Sequence, residues 1–320
     1  VLEAERQAKV DATESYEERK QINQEFEEKK QQAVEILKQT ISDSVDDFIK
    51  TAGETVVETV ETEKRQEKKR TIEDGIRDHL RGFSRTIPSF LMAYGDENTT
   101  LATFDQIIPD EVFQEVTSIS LKDFRFLRDG GSYINDETHL EEFFKGHLFD
   151  PVVFDDSVQE FLNKKRQLAD YFDEKNAEDI FDYIPPQKTN QIFTPKWVVK
   201  DMVGRLEQEN PGCFDDPDKT FADLYMKSGM YITEIVTHLY QSGHLKQLYP
   251  DDAERLNHIF AKQVFGCAPT EIIYRICLSY ILGFSDEINI KKHNITLCDT
   301  LKYAKEGTLE QKLNELFPEL

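Results

Sequence analysis

Apolar residues are scarce over the first 30 positions and then fall at three- and four-residue steps, at Val34, Ile36, Leu37, Ile41, Val45, Phe48 and Ile49. No glycine or proline precedes Gly53, and Glu, Lys, Gln and Ala dominate. That pattern predicts helix over 2–50. Its first 30 residues lack an apolar stripe, so that part is a solvated helix or needs a partner. A second helix is expected from about Glu54 to Arg81, carrying Val56, Val57, Val60, Ile72, Ile76 and Leu80. From Phe83 to Tyr183 the pattern becomes globular: IPSFLMAYG and VFQEVTSISLKDFRFL place bulky apolar residues at helical spacing. Asp129-Gly130-Gly131-Ser132 reads as a loop, and DYIPPQKTN (182–190), with two prolines, as a linker.

Beyond the linker, short apolar runs alternate with helical segments. TFADLY (220–225), VFGCA (264–268) and NITLCD (294–299) read as buried strands. Helices are expected over 195–208, 230–243, 251–263 and 269–283. Strand, helix, strand, helix, strand implies a parallel sheet with right-handed crossovers. The fold class is therefore α/β. Three parts are expected: long charged helices over 1–85, a helical domain over 86–184, and a parallel-stranded domain over 185–320.

Charge bears on the partners. The formal net charge is −23 over 320 residues, which argues against a protein that coats DNA, since phosphate neutralisation needs lysine and arginine. A DNA enzyme with a local basic groove remains compatible. The one dense basic cluster holds Lys64, Arg65, Lys68, Lys69 and Arg70, and Arg77, Arg81 and Arg85 continue it at four-residue steps on one helix face. A solvated face balanced by glutamates and a DNA-backbone contact are both open readings of it. The four cysteines, at 213, 267, 277 and 298, show no metal-ligand spacing and are expected to be reduced thiols of a cytoplasmic protein. No apolar run approaches the ~20 residues of a membrane span.

In an open parallel sheet, ligands bind beyond the carboxyl ends of the strands. Here TFADLY runs into MKSGMY and a helix, so Asp223 ends the strand while Ser228 and Gly229 make the turn. Taken alone, this is more often an ordinary turn than a cofactor loop. The order of the neighbouring segments changes that. QIFTPKWVVKDMV stands before it, VFGCAPTEIIYRI after the second strand, and LCDTL at the end of the third.

This succession resembles the gamma-class adenine-N6 DNA methyltransferases, and most closely the methyltransferase part of large fused restriction–modification proteins. The resemblance covers roughly 185–320; more loosely, HLRGFSRTIPSFLMAYG is similar to the helical coupler that joins helicase to methyltransferase in such proteins. It implies a partial Rossmann-like domain that binds S-adenosylmethionine. By position, Phe193, Thr194 and Pro195 would close over the methionine end, and Asp223 would meet the methionine amino group. Ser228 and Gly229 would supply the turn, Asp299 would accept from the adenine amino group, and Leu301 would pack near the ring. Lys68, Lys69, Arg77, Arg81 and Arg85 are the candidate DNA contacts. The partners implied are double-stranded DNA, through the full-length protein, and helicase and nuclease modules of the same polypeptide. Trp197 reads as a core residue.

The sequence departs from the family at two places. The usual D-P-x-x-G-S-G turn reads D-L-Y-M-K-S-G, with Leu224 for proline and Lys227 for the first glycine. Where relatives hold the ribose with an acid, this chain has Ala268 and Pro269, with Glu271 nearby. The [NDS]-P-P-[YFW] tetrapeptide that holds a flipped adenine does not occur, and LEQKLNELFPEL stands where a fourth strand is expected. No catalytic residue is assigned, and the chain reads as an inactive part of a larger enzyme. The alternative is a Rossmann-like module for protein interaction or cofactor sensing.

Overall fold

A computed structural model describes residues 72–135, 139–173, 178–185 and 193–318, together with 9, 18, 21–32 and 35. The expected helix over 2–50 is met at 21–32, which is helical; most of the second expected helix, and most of the linker, lie outside the described residues. The chain divides into two compact units, 1–77 and 78–320. The second holds both the helical segment and the parallel sheet.

The helical segment opens with α1 (Ile72–Tyr94), which carries Pro88 in its interior. It is followed by α2 (Phe104–Ile107), α3 (Asp110–Thr117) and α4 (Leu121–Asp129). Phe83 and Phe90, seven residues apart on α1, face the same way into a cluster of phenylalanines. The Phe83 ring lies 6.0, 5.8, 5.2 and 5.5 Å from Phe104, Phe113, Phe124 and Phe149. Edge-to-face and tilted contacts of this kind add about 0.5–1.5 kcal/mol per pair to the area they bury. The ends are held by specific bonds. Ser120 and Asp123 form a reciprocal capping box on α4, and the Asp110 carboxylate accepts from the Leu121 amide at 2.7 Å.

The stretch expected to be a loop at 129–132 enters a hairpin instead. β1 (Gly131–Ile134) pairs antiparallel with β2 (Glu141–Phe144). Gly130 is the reason the chain can turn there. Its φ is +79°, and a Cβ on it would stand 2.4 Å from the Phe144 carbonyl oxygen. α5 (Pro151–Gln167) follows, capped by Asp150, whose carboxylate accepts from Val152 and Val153. A single 3-10 turn, Ile180–Tyr183, ends this part.

The α/β part begins with α6 (Lys196–Glu209). β3 (Phe221–Asp223) leads to α7 (Met230–Gln241) and α8 (Gly243–Leu248). α9 (Asp252–His258) widens into a π turn over Ile259–Gln263 before β4 (Val264–Ala268). α10 (Glu271–Leu282) precedes β5 (Asn294–Leu297), and α11 (Thr300–Glu306) and α12 (Leu309–Leu316) follow it. The three strands are parallel, in the order β3-β4-β5. β4, in the middle, is buried along its whole length, as a strand covered on both faces must be. On one face Phe265, Cys267 and Cys298 pack with Phe317, and Leu224, Tyr303, Leu313 and Leu316 join them. The segment LEQKLNEL, placed where a fourth strand was expected, is thus the helix α12 that covers this face. Its apolar residues recur at helical rather than alternating intervals.

Candidate functional site: the carboxyl ends of the parallel strands

Register fixes which way the two strand-end acids face. Asp223 pairs with Gly266, and Gly266 pairs with Ile295, and residues in register on parallel strands share a face. Beyond β5 the ladder continues, with the Cys298 amide donating to the Ala268 carbonyl at 2.8 Å. Asp299 keeps an extended backbone, φ −80° and ψ 91°. Alternation therefore returns Asp299 to the face of Ile295 and Asp223. The loops are also joined, because the Thr300 hydroxyl donates to the Leu224 carbonyl.

The two carboxylates differ in setting. Asp223 accepts from the Tyr225 amide at 3.0 Å. Burial pushes its carboxyl above the usual aspartate range, and that one amide only partly offsets the effect. Asp299 is exposed and caps α11, accepting from the Leu301 amide at 3.2 Å. Leu301 and Leu297 are 46% and 44% exposed, so the outer end of the site presents two aliphatic side chains to solvent.

The turn 224–229 follows Asp223. The Met226 amide donates to the Cys267 carbonyl at 2.8 Å, and the Met226 side chain is fully buried. It covers Gly266, where a Cβ would stand 2.5 Å from the Met226 sulfur. Lys227 is exposed and has a negative φ, so its Cβ adds no strain where the family pattern has glycine. Ser228 is buried, and its hydroxyl accepts from the Met230 amide at 3.3 Å. Gly229 has φ +86° and ψ 0°. Leu224, in the position of the usual proline, turns to the opposite face and joins the Phe265–Phe317 cluster. Ala268 is fully buried, and the carboxylate of Glu271 accepts from Arg275 at 2.7 Å.

The Phe-Thr-Pro segment lies against the 3-10 turn Ile180–Tyr183, which contacts α10. The Phe193 ring is 4.6 Å from Phe181, which is 4.8 Å from Tyr280. Thr194 is half-buried and Pro195 is exposed; Pro195 immediately precedes α6 with φ −58°. Tyr280 and Ile281 are neighbours on α10, and Ile281 is what Gly229 packs against. The glycine turn thus meets α10 directly, and the Phe-Thr-Pro segment reaches it through Phe181. Trp197 corrects the sequence reading, since it is 73% exposed. Val199 and Val203 form the buried face of α6, and Trp197 lies off that face.

Sequence reasoning missed Asp179. Its carboxylate accepts from the Phe181 amide at 3.0 Å and from the Tyr280 hydroxyl at 2.6 Å, across 101 positions of sequence. Its position after a short charged stretch carried no periodic signal. Of the candidate DNA contacts, Lys68 and Lys69 lie outside the described residues. α1 carries positions 77, 81 and 85 at four-residue steps, and Arg85 is exposed.

The fold and site define a mixed α/β chain with a small parallel sheet and two acids at one edge. Comparison with family models, with curated proteins and with solved structures finds no match to this chain. No helix among the described residues is long and apolar enough to cross a membrane.

Proposed function

We propose that residues 185–320 are the cofactor-binding half of an S-adenosylmethionine-dependent adenine-N6 DNA methyltransferase with a Rossmann-like sheet, joined to a helical coupler over 86–184 and working in the cytoplasm within a restriction–modification enzyme. The observation that carries this reading is the shared face of Asp223 and Asp299 at the carboxyl edge, given by strand register and alternation. A partly desolvated carboxylate with a single backbone donor suits a cofactor ammonium group, which would return its pKa toward the ordinary range. Asp299 and Leu301 offer an acceptor and an aliphatic surface for an adenine ring. When bound, the cofactor supplies a methyl group activated by a sulfonium. Ser228 and Gly229 shape the turn, and Phe193, Thr194 and Pro195 close the methionine end. At the ribose position the fit is poorer, with Ala268 in place of an acid and Glu271 paired to Arg275.

With no [NDS]-P-P-[YFW] tetrapeptide in the sequence, this chain would bind the cofactor without transferring its methyl group. DNA, helicase and nuclease partners belong to the same proposal. The second reading, a module for protein contact or cofactor sensing, is favoured by the Met226 side chain over Gly266. Calorimetric titration of S-adenosylmethionine into the wild type and Asp223→Ala separates them. Loss of a charge-assisted hydrogen bond worth about 1.5–3 kcal/mol weakens binding roughly ten- to a hundredfold. Equal affinities, or no binding at millimolar cofactor, would overturn the methyltransferase reading.

A further inference from the structure

Two tyrosine hydroxyls join the residues on either side of 174–177 to α10. Tyr171 donates to the Ile281 carbonyl at 2.9 Å, and Tyr280 donates to the Asp179 carboxylate at 2.6 Å. Both are buried, and both bonds span more than a hundred residues, 110 and 101. They differ in what lies beyond them. Tyr171 meets the backbone of α10 among Phe172, Tyr280 and Phe284.

Tyr280 and Asp179 stand at a junction of three elements. The Phe181 ring, next to Asp179, lies between Tyr280 and Phe193. The Lys196 charge, one residue after Pro195, acts on the Asp179 carboxylate. Ile281, the residue after Tyr280, is the side chain against which Gly229 packs. Gly229 in turn accepts at its carbonyl from the Thr233 amide in the first turn of α7, at 3.0 Å.

We propose that Asp179 is a positioning residue that, through Phe181 and Tyr280, sets the Phe193-Thr194-Pro195 segment against the Gly229 turn, so that the docking of the helical segment controls how well the strand-end site is formed. This regulatory role rests on the reading of that site as a cofactor site, but the linkage itself does not. Asp179 is 5% exposed, and its two oxygens are each committed, one to the Phe181 amide and one to Tyr280. A buried, fully used carboxylate has few alternative partners, so its bonds form together or are lost together. When they are lost, Phe181 loses the amide bond that orients it, and Phe193 loses the ring beneath it. The helical segment and the strand-end site then move as coupled parts rather than as independent ones.

Hydrogen exchange read by mass spectrometry, on the full chain and without added ligand, tests the linkage. Tyr280→Phe and Asp179→Asn are compared with Tyr171→Phe, which removes an equally buried hydroxyl from the same interface. The comparison is made at matched distance below each variant's melting temperature. The expected result is exchange at least tenfold faster in 193–200 and 226–233 for the Tyr280 and Asp179 variants, with Tyr171→Phe like the wild type in both segments. Should Asp179→Asn fail to fold, Tyr280→Phe alone decides. Equal behaviour of Tyr171→Phe and Tyr280→Phe, or unchanged exchange in 193–200, overturns the proposal.

Calorimetry with S-adenosylmethionine on the same variants distinguishes the two ideas. A contrast in exchange without cofactor binding by the wild type keeps the linkage and removes the cofactor reading. Cofactor binding of equal strength in wild type and Tyr280→Phe removes the regulation and keeps the cofactor reading.

Discussion

Gly229 lies against Ile281 so closely that a Cβ on the glycine would stand 2.8 Å from the isoleucine Cδ1. Its φ of +86° adds a second reason for glycine, because side-chain-bearing residues rarely adopt that conformation. The two constraints are separable. Gly229→Ala is expected to lower unfolding stability by about 2–4 kcal/mol, summing a left-handed backbone cost of about 1–2 kcal/mol and an overpacking cost of similar size. Ile281→Val in the same background should recover part of the packing cost and none of the backbone cost. Urea unfolding of both single variants and the double variant measures this; additive effects would show that the contact carries no strain.

Local pattern made most of the α/β part legible. The strands expected at 264–268 and 294–299 are found at 264–268 and 294–297, and their flanking helices lie within a few residues of expectation, because buried parallel strands bounded by amphipathic helices have few other readings. The hairpin at 131–144 was not legible. Its strands are four residues each, with Gly-Gly at the entrance, and what defines them is the crossing with Phe144 and Lys145. Trp197 was misread because hydrophobicity alone does not say which side of a helix faces out. Asp179 and Tyr280 were invisible because their bond joins positions 101 apart.

His238 links α6 to α7 by charge. Its two ring nitrogens lie 3.5 Å from Glu207 on α6 and 3.5 Å from Glu234 on its own helix, and its ring packs 4.7 Å from Phe214. The bond to Glu234 comes first in raising its pKa; burial opposes, Glu207 adds to the rise, and Lys200 opposes it weakly. A raised folded-state pKa means that the protonated imidazole stabilises the fold. This contribution is fully present below the unfolded pKa of about 6.5 and is lost as pH rises through the folded value. His238→Gln should remove this component, leaving a flatter stability profile just above pH 6.5. Identical pH profiles for wild type and variant would contradict it.

Asp223 has the opposite consequence for stability. Burial raises its pKa, so its ionised form is a cost in the folded protein. That cost is absent below the unfolded pKa of about 3.9 and develops as pH rises through the folded value. Asp223→Asn is therefore expected to be at least as stable as the wild type at pH 7, the difference vanishing in acid, even though the same variant loses the proposed cofactor interaction. A variant that unfolds more easily at pH 7 would mean that the carboxylate serves the fold rather than a ligand. Thermal unfolding at pH 3.5 and pH 7 reads both outcomes.

Arg77, Arg81 and Arg85 offer the test of the DNA reading that is least tied to the cofactor. The helix α1 carries all three at four-residue steps, and Arg85 is exposed. Against a formal net charge of −23, binding to duplex DNA needs such a local concentration of positive charge. If the three side chains neutralise phosphates, removing each one should reduce the slope of log affinity against log salt by about 0.9. The triple replacement by glutamine would then flatten the slope by up to about three units while leaving cofactor binding unchanged. An unaltered slope, with binding otherwise intact, would return the three arginines to a solvated helix face balanced by neighbouring glutamates.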